Sequence, residues 1–189
     1  MRRRVLASLA KSGYTAKDYV QDGLVAMWDG IENAGWGVHD PNATVWKDLV
    51  GNLDFTLTSN ATVEGNGIVS GGGCCGYTDH LIIPATMEVV YDNTNGLNGR
   101  RGTVFCAGRI ENKNLCYVIV VPNRSQCYLS WGFARKALEA TEEELIGRNS
   151  ISVVYEMTNG ALSDVSKAYL NATERSIAFA IDYWQGNSG

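Results

Sequence analysis

Residues 150–156 read SISVVYE, and this stretch decides the fold class. Successive side chains of an extended strand point to opposite faces. Ile151, Val153 and Tyr155 therefore share one face, and Ser152, Val154 and Glu156 share the other. β-Branched and aromatic residues suit such a half-buried, pleated surface. A period of two over seven residues predicts a strand with one face in a core.

The same reading spreads outward along the chain. Residues 54–58 set Phe55 and Leu57 against Asp54, Thr56 and Thr58. Strands are expected at Leu24–Trp28, Thr44–Leu49, Leu81–Ile83, Thr86–Tyr91, Thr103–Gly108, Cys116–Val121, Ser125–Trp131, Lys167–Asn171 and Ser176–Tyr183. Thr103–Gly108 and Cys116–Val121 flank RIENKN and read as a hairpin. Asn159–Gly160 marks a turn. The stretch ARKALEATEEELIG (134–147) has helical propensity, with apolar Ala134, Ala137, Leu138 and Leu145 and with Gly147 as a stop. A strand followed by a turn is the other reading of it. The glycine-rich span EGNGIVSGGGCCG lacks the Lys-Ser or Lys-Thr of a phosphate loop, so its glycines predict tight turns and close strand approach. About ten short strands with turn signals every 8–12 residues predict an all-β, two-sheet antiparallel β-sandwich or a barrel. No repeat at propeller or solenoid spacing is present.

The chain has 189 residues, which suits one domain. We expect an N-terminal arm over residues 1–20 and one sandwich domain over residues 21–189. The formal net charge is −4 and the sequence pI is near 5.2, so no broad basic field is available for nucleic acid. Arg2, Arg3 and Arg4 form one basic cluster, which reads as part of a solvated terminus, with an arm for nucleic acid or a membrane surface as the other reading. The apolar run Val5–Ala10 is shorter than a signal-peptide core, which predicts synthesis in the cytoplasm without export by that route. No stretch approaches the roughly 18 apolar residues of a membrane helix, so no membrane span is expected. Cys74, Cys75, Cys106, Cys116 and Cys127 make an odd count of five with neither zinc nor C-x-x-C spacing. Cys106, Cys116 and Cys127 fall in apolar runs as small hydrophobes.

Catalytic patterns are weak. Glycoside hydrolysis needs two carboxylates about 5–10 Å apart across the sugar. Glu142, Glu143 and Glu144 are consecutive, so a strand would not aim them all one way. No G-x-S-x-G elbow occurs, and the chain holds only two histidines, His39 and His80. We therefore expect no enzyme. The loop GIENAGWGVHD (30–40) is richer. Asp29, Glu32, Asn33 and Asp40 offer oxygens for a calcium ion, and Asp92, Asn93 and Asn95 offer a second, poorer set. Asp and Asn are also ordinary turn formers. Trp36 stands between Gly35 and Gly37 in a polar loop, as an exposed sugar-stacking aromatic would. His39 lies on the same loop. Tyr77, Asp79 and His80 follow the glycine span and are placed to line a rim, and Trp131 at a strand end joins the candidates for carbohydrate contact. Trp28, alternating with Leu24 and Ala26, and Trp46, in the WKDL turn, read as packing residues. The N-A-T tripeptides at Asn42, Asn60 and Asn171 read as turns.

With the strands placed, their order resembles that of laminin-G-like, concanavalin A-like jelly-roll domains. DGLVAMWDG is similar to the first strand of that group, and WKDLVGNLDFTL to its following turn and second strand. TMEVVY and GTVFCAG are similar to mid-domain strands, ISVVYE to a later one, and AYLNAT to a hairpin in which Ala172 replaces the usual Gly. The likeness covers residues 20–185. Its variant with a short Arg-rich start is similar to proteins of gut bacteria and their phages or prophages. The resemblance implies a recognition or structural module on a virion or bacterial cell surface, with carbohydrate and other protein subunits as partners. The family's usual final strands and tail are missing here. That implies either a piece of a longer chain or a partner that supplies the edge.

Overall fold

The computed structural model describes residues 16–19, 22–65, 67–70, 75–78, 85–92, 102–107, 116–121, 126–131, 134–158 and 161–179. They are mostly antiparallel strands with almost no helix, so the fold is all-β. They fall into two units, one inside Leu9–His80 and one inside Leu81–Gly189.

The unit inside Leu81–Gly189 holds two sheets. The first is four-stranded and contains β6 (Thr86–Asp92), β11 (Arg148–Thr158), β12 (Ala161–Leu170) and β13 (Thr173–Arg175), in the order β13-β12-β11-β6. The second has five strands, in the order β14-β10-β9-β8-β7. These are β7 (Gly102–Ala107), β8 (Cys116–Val121), β9 (Gln126–Trp131), β10 (Ala134–Glu139) and β14 (Ile177–Phe179). Among the described residues, the strands of both sheets pair antiparallel. The expected hairpin of β7 and β8 forms, and Cys106, Cys116 and Cys127 lie on β7, β8 and β9.

β11 carries the period-two stretch, and Ile151, Val153 and Tyr155 are all buried. They meet Leu170, Ala168 and Val165 of β12 in register. Val165 and Ala168 are three residues apart, an odd spacing that a regular strand would send to opposite faces. A bulge resolves this. The register shifts between Val154 and Tyr155, so Ser166 is the extra residue, and its hydroxyl donates to the Val154 carbonyl at 3.2 Å. The hydrophobic core joins these six residues to Met87 of β6, Leu138 of β10 and Leu145, with Val89, Tyr91, Ala140 and Ile177 packed against it.

Residues 134–147 take the strand-first reading. Ala134–Glu139 is β10, paired with β9 on one side and β14 on the other, and only Glu142–Leu145 is helical (α1). Ladder bonds on both sides outweigh the local helical preference of Ala, Lys and Leu. The short helix is capped at its start by a reciprocal box. The Thr141 hydroxyl accepts from Glu144 N–H, and the Glu144 carboxylate accepts from Thr141 N–H. Gly147, at φ 88°, stands just after its end. Tyr91 Oη donates to the Leu145 carbonyl at 3.2 Å.

The unit inside Leu9–His80 holds a three-stranded sheet of β1 (Val45–Trp46), β2 (Phe55–Leu57) and β5 (Gly76–Tyr77), with β2 central. A separate hairpin pairs β3 (Ala61–Glu64) with β4 (Gly67–Ser70). A Cβ added at Gly30 would stand 2.6 Å from Gly67 Cα, so two backbones meet there as the glycine-rich span predicts. Of the N-terminal arm, Ala16–Asp18 forms a single 3₁₀ turn. Leu24–Trp28 is not a strand. A side-chain carboxylate takes the place of a ladder partner there, because Met27 N–H donates to Asp48 Oδ1 at 2.9 Å. The Met27 carbonyl accepts from Leu49 N–H at 2.7 Å. The expected strand at Leu81–Ile83 and the turn at Asn159–Gly160 lie outside the described residues.

Candidate functional site

The loop 29–42 is built by its own polar side chains. Asp29 Oδ1 accepts from the N–H groups of Ile31 and Glu32 at 2.7 and 2.8 Å, an Asx turn that opens the loop. Asn33 is fully buried, and both ends of its amide are used by one residue. Its Oδ1 accepts from Asp40 N–H at 2.9 Å, and its Nδ2 donates to the Asp40 carbonyl at 2.8 Å. The two limbs of the loop are closed by that pair. The Asn33 carbonyl accepts from Lys47 N–H, which ties the closed loop to the residue after β1.

The tip is a tight reversal. Val38 N–H donates to the Gly35 carbonyl at 2.9 Å, and Gly37 N–H donates to Glu32 Oε2 at 2.8 Å. Gly35 and Gly37 sit at φ 138° and 70°, conformations that side chains disfavour. Trp36 between them is 36% exposed, and Ile31 and Val38 beside it are exposed too. Lys17 places its Nζ 5.8 Å from the Trp36 ring centroid, a cation–π distance. His39 is exposed, with Nδ1 2.7 Å from the Ile31 carbonyl.

The other two tryptophans of this region are packing residues, as their positions predict. Trp28 Nε1 donates to the Leu53 carbonyl and Trp46 Nε1 to the Asp29 carbonyl. Both rings meet Phe55, Trp28 edge-on at 4.7 Å between centroids.

The WKDL turn holds a group that sequence reasoning passed over. Asp48, in the WKDL turn, is 8% exposed and accepts three backbone N–H bonds. Met27 and Val50 donate to Oδ1, and Leu53 donates to Oδ2. Asp54 repeats the theme beside it, accepting from Asp48 N–H at 3.0 Å and pairing with Lys47. The Lys47 hydrogen bond is the main cause that holds the Asp54 carboxyl below the usual range; burial opposes it, and the Asp48 N–H and the Lys47 charge add smaller lowering contributions. An Asp followed by Leu-Val-Gly-Asn carries a turn signal that would have marked Asp48 in the sequence.

The calcium candidates thus hold backbone groups. One oxygen each of Asp29, Glu32 and Asp40, and the Asn33 amide, serve N–H or C=O groups of the loop itself. Among the described residues, no group of three or more His, Cys, Asp or Glu side chains is placed to hold a metal ion. Asp92 ends β6, while Asn93 and Asn95 lie outside the described residues. Tyr77, on β5, is 52% exposed and in register with Thr56. Asp79 and His80 lie outside the described residues, so the rim they were expected to form with Tyr77 is not described. Trp131 ends β9 in register with Cys116, and its side chain lies outside the described residues. Cys75 is a half-buried free thiol, and its backbone carbonyl accepts from Thr58 N–H. Among the described residues, no helix is long and apolar enough to cross a membrane.

No family model matches the chain, and no curated protein and no solved structure matches it.

Proposed function

We propose that this chain is a non-catalytic carbohydrate-recognition or adhesion module, built as a two-sheet β-sandwich of concanavalin A-like jelly-roll type. One core that draws on β6, β11 and β12 of one sheet and on β10 and β14 of another supports the sandwich. The observation that carries the recognition reading is Trp36. Its ring is exposed on a loop that Asn33, Glu32 and Asp29 hold closed from within, while Trp28 and Trp46 in the same unit are committed to packing. A rigid aromatic on a preformed loop loses little entropy on stacking against a sugar ring. A glycan array compares wild type with Trp36→Ala. Binding that the variant loses supports the reading, and equal binding by the variant or none by wild type removes it.

A second reading is a structural or assembly subunit of a virion or filament with no small ligand. Exposed apolar side chains favour it, with Val25 at 71% exposure and Ile31 and Val38 at 50% each. Light scattering separates the two, since a strict monomer counts against assembly. Placement on a phage or bacterial surface rests on the sequence resemblance.

A further inference from the structure

We infer that β6 is a dimerisation edge, to which a second copy of this chain adds its own β6, antiparallel about a two-fold axis at Val89. The inference needs neither a sugar nor a virion and goes beyond both readings above. An edge strand presents unpaired backbone N–H and C=O groups, and proteins blunt such edges by shortness, bulges, Lys or Pro. The described edges β1, β5, β13 and β14 are two or three residues long, and β3 and β4 are four. β7 has six residues, but its register shifts between Thr103 and Phe105. β6 has seven residues with no Lys or Pro, and it pairs with β11 without a shift. Among the described residues, no strand pairs with its other side. Tyr155 N–H donates to the Ala85 carbonyl, so by alternation Met87 and Val89 turn their backbone groups to β11, while Glu88 and Val90 turn theirs to the open edge. Both of those side chains are exposed, Val90 at 48%. The charges select the register and with it the occupant. A ladder centred on Glu88 sets that carboxylate against its own copy, and one centred on Val90 sets it against Asp92 of the copy. Centring on Val89 sets Glu88 against Val90 in both directions and Thr86 against Asp92, so no like charges are opposed. The strand is thus complementary to itself, which a closed two-fold interface requires.

Sedimentation equilibrium on the full chain tests this. A ladder of this length makes a small interface, below about 1,200 Å², so a concentration-dependent equilibrium of monomer and dimer is expected. Val90→Pro removes an N–H that faces the open edge and leaves the bonds to β11 in place. It is expected to give a monomer whose urea midpoint stays near that of the wild type. Val90→Glu sets two pairs of like charges against each other and is expected to weaken the dimer about two- to thirty-fold. Adding Glu88→Lys to Val90→Glu turns both pairs into opposite charges and is expected to restore it. Should Val90→Pro fail to fold, Val90→Glu and the double variant carry the test, since both keep the backbone N–H. A wild type that stays monomeric at about 1 mM overturns the inference. Slow hydrogen exchange at the Glu88 and Val90 amides of such a monomer assigns the edge to another part of the same chain. A dimer that Val90→Pro leaves unchanged overturns the inference too, because the interface then lies elsewhere. A double variant as weak as Val90→Glu also overturns it, because the two strands then do not meet about Val89.

Discussion

Asn171 donates from Nδ2 to Asn149 Oδ1 at 2.8 Å, which ties the turn after β12 to the start of β11. The link is doubled by the backbone. Asn171 Oδ1 accepts from Ser150 N–H, and Asn171 N–H donates to the Ser150 carbonyl, both at 2.9 Å. Asn149 is buried and directs its own Nδ2 at the Ile146 carbonyl, at 3.3 Å. The end of α1, β11 and the β12–β13 turn thus share one amide network. Asn149→Ala leaves the Asn171 amide and the Ile146 carbonyl short of a partner. It is expected to cost about 1–3 kcal/mol, read as a lower urea midpoint.

The same turn contains a strained residue. Asn171 and Ala172 have φ of 51° and 63° between paired Leu170 and Thr173, the two-residue hairpin turn that favours Asn-Gly. The alanine methyl is disfavoured there. Ala172→Gly is expected to stabilise the protein by roughly 0.5–1 kcal/mol, less than the full strain because glycine also loosens the unfolded chain. The urea midpoint should rise with the slope unchanged. A fall in midpoint would show that the alanine side chain contributes more than its strain costs.

Asp48 organises the unit that carries Trp36. Asp48→Ala strips three backbone N–H groups of their acceptor and is expected to cost about 3 kcal/mol or more. Asp48→Asn keeps one acceptor oxygen and should fall between. Thermal unfolding followed by tryptophan fluorescence reports on this directly, because Trp28 donates to Leu53, the residue that also donates to Asp48.

Asp54 confers a dependence on acid. Its folded carboxyl is held below the usual range, first by the Lys47 hydrogen bond. The ion form is therefore favoured on folding. The stability it contributes is complete above the ordinary carboxylate pKa near 4 and is lost as pH falls through the lower folded value. Both side chains reach solvent, which limits the contribution to below about 1 kcal/mol. Asp54→Asn is expected to flatten that part of the stability profile below about pH 4 and to leave the profile above pH 5 parallel to wild type. Added salt should shrink the difference.

The sequence by itself determined β6 and β11, two of the strands that carry the core. The alternation through Ile151, Val153 and Tyr155 was legible because burial on one face imposes a period of two, which the order of the residues displays. The packing role of Trp46 was legible from the WKDL turn, whereas Trp28 was read from a strand that does not form and packs through the Leu53 carbonyl and Phe55. The tertiary structure decided what depends on partners distant in the chain. Residues 134–139 became strand because β9 and β14 flank them, and Leu24–Trp28 left the sheet because Asp48, about twenty residues on, accepts the Met27 N–H. Val165 and Ala168 share a face only through the bulge at Ser166. In the loop, the sequence displayed the carboxylates and the glycine-flanked Trp36. Only the fold showed that those carboxylates hold backbone amides, because a hydrogen bond is made by position in space and residue identity does not reveal where the donor will stand.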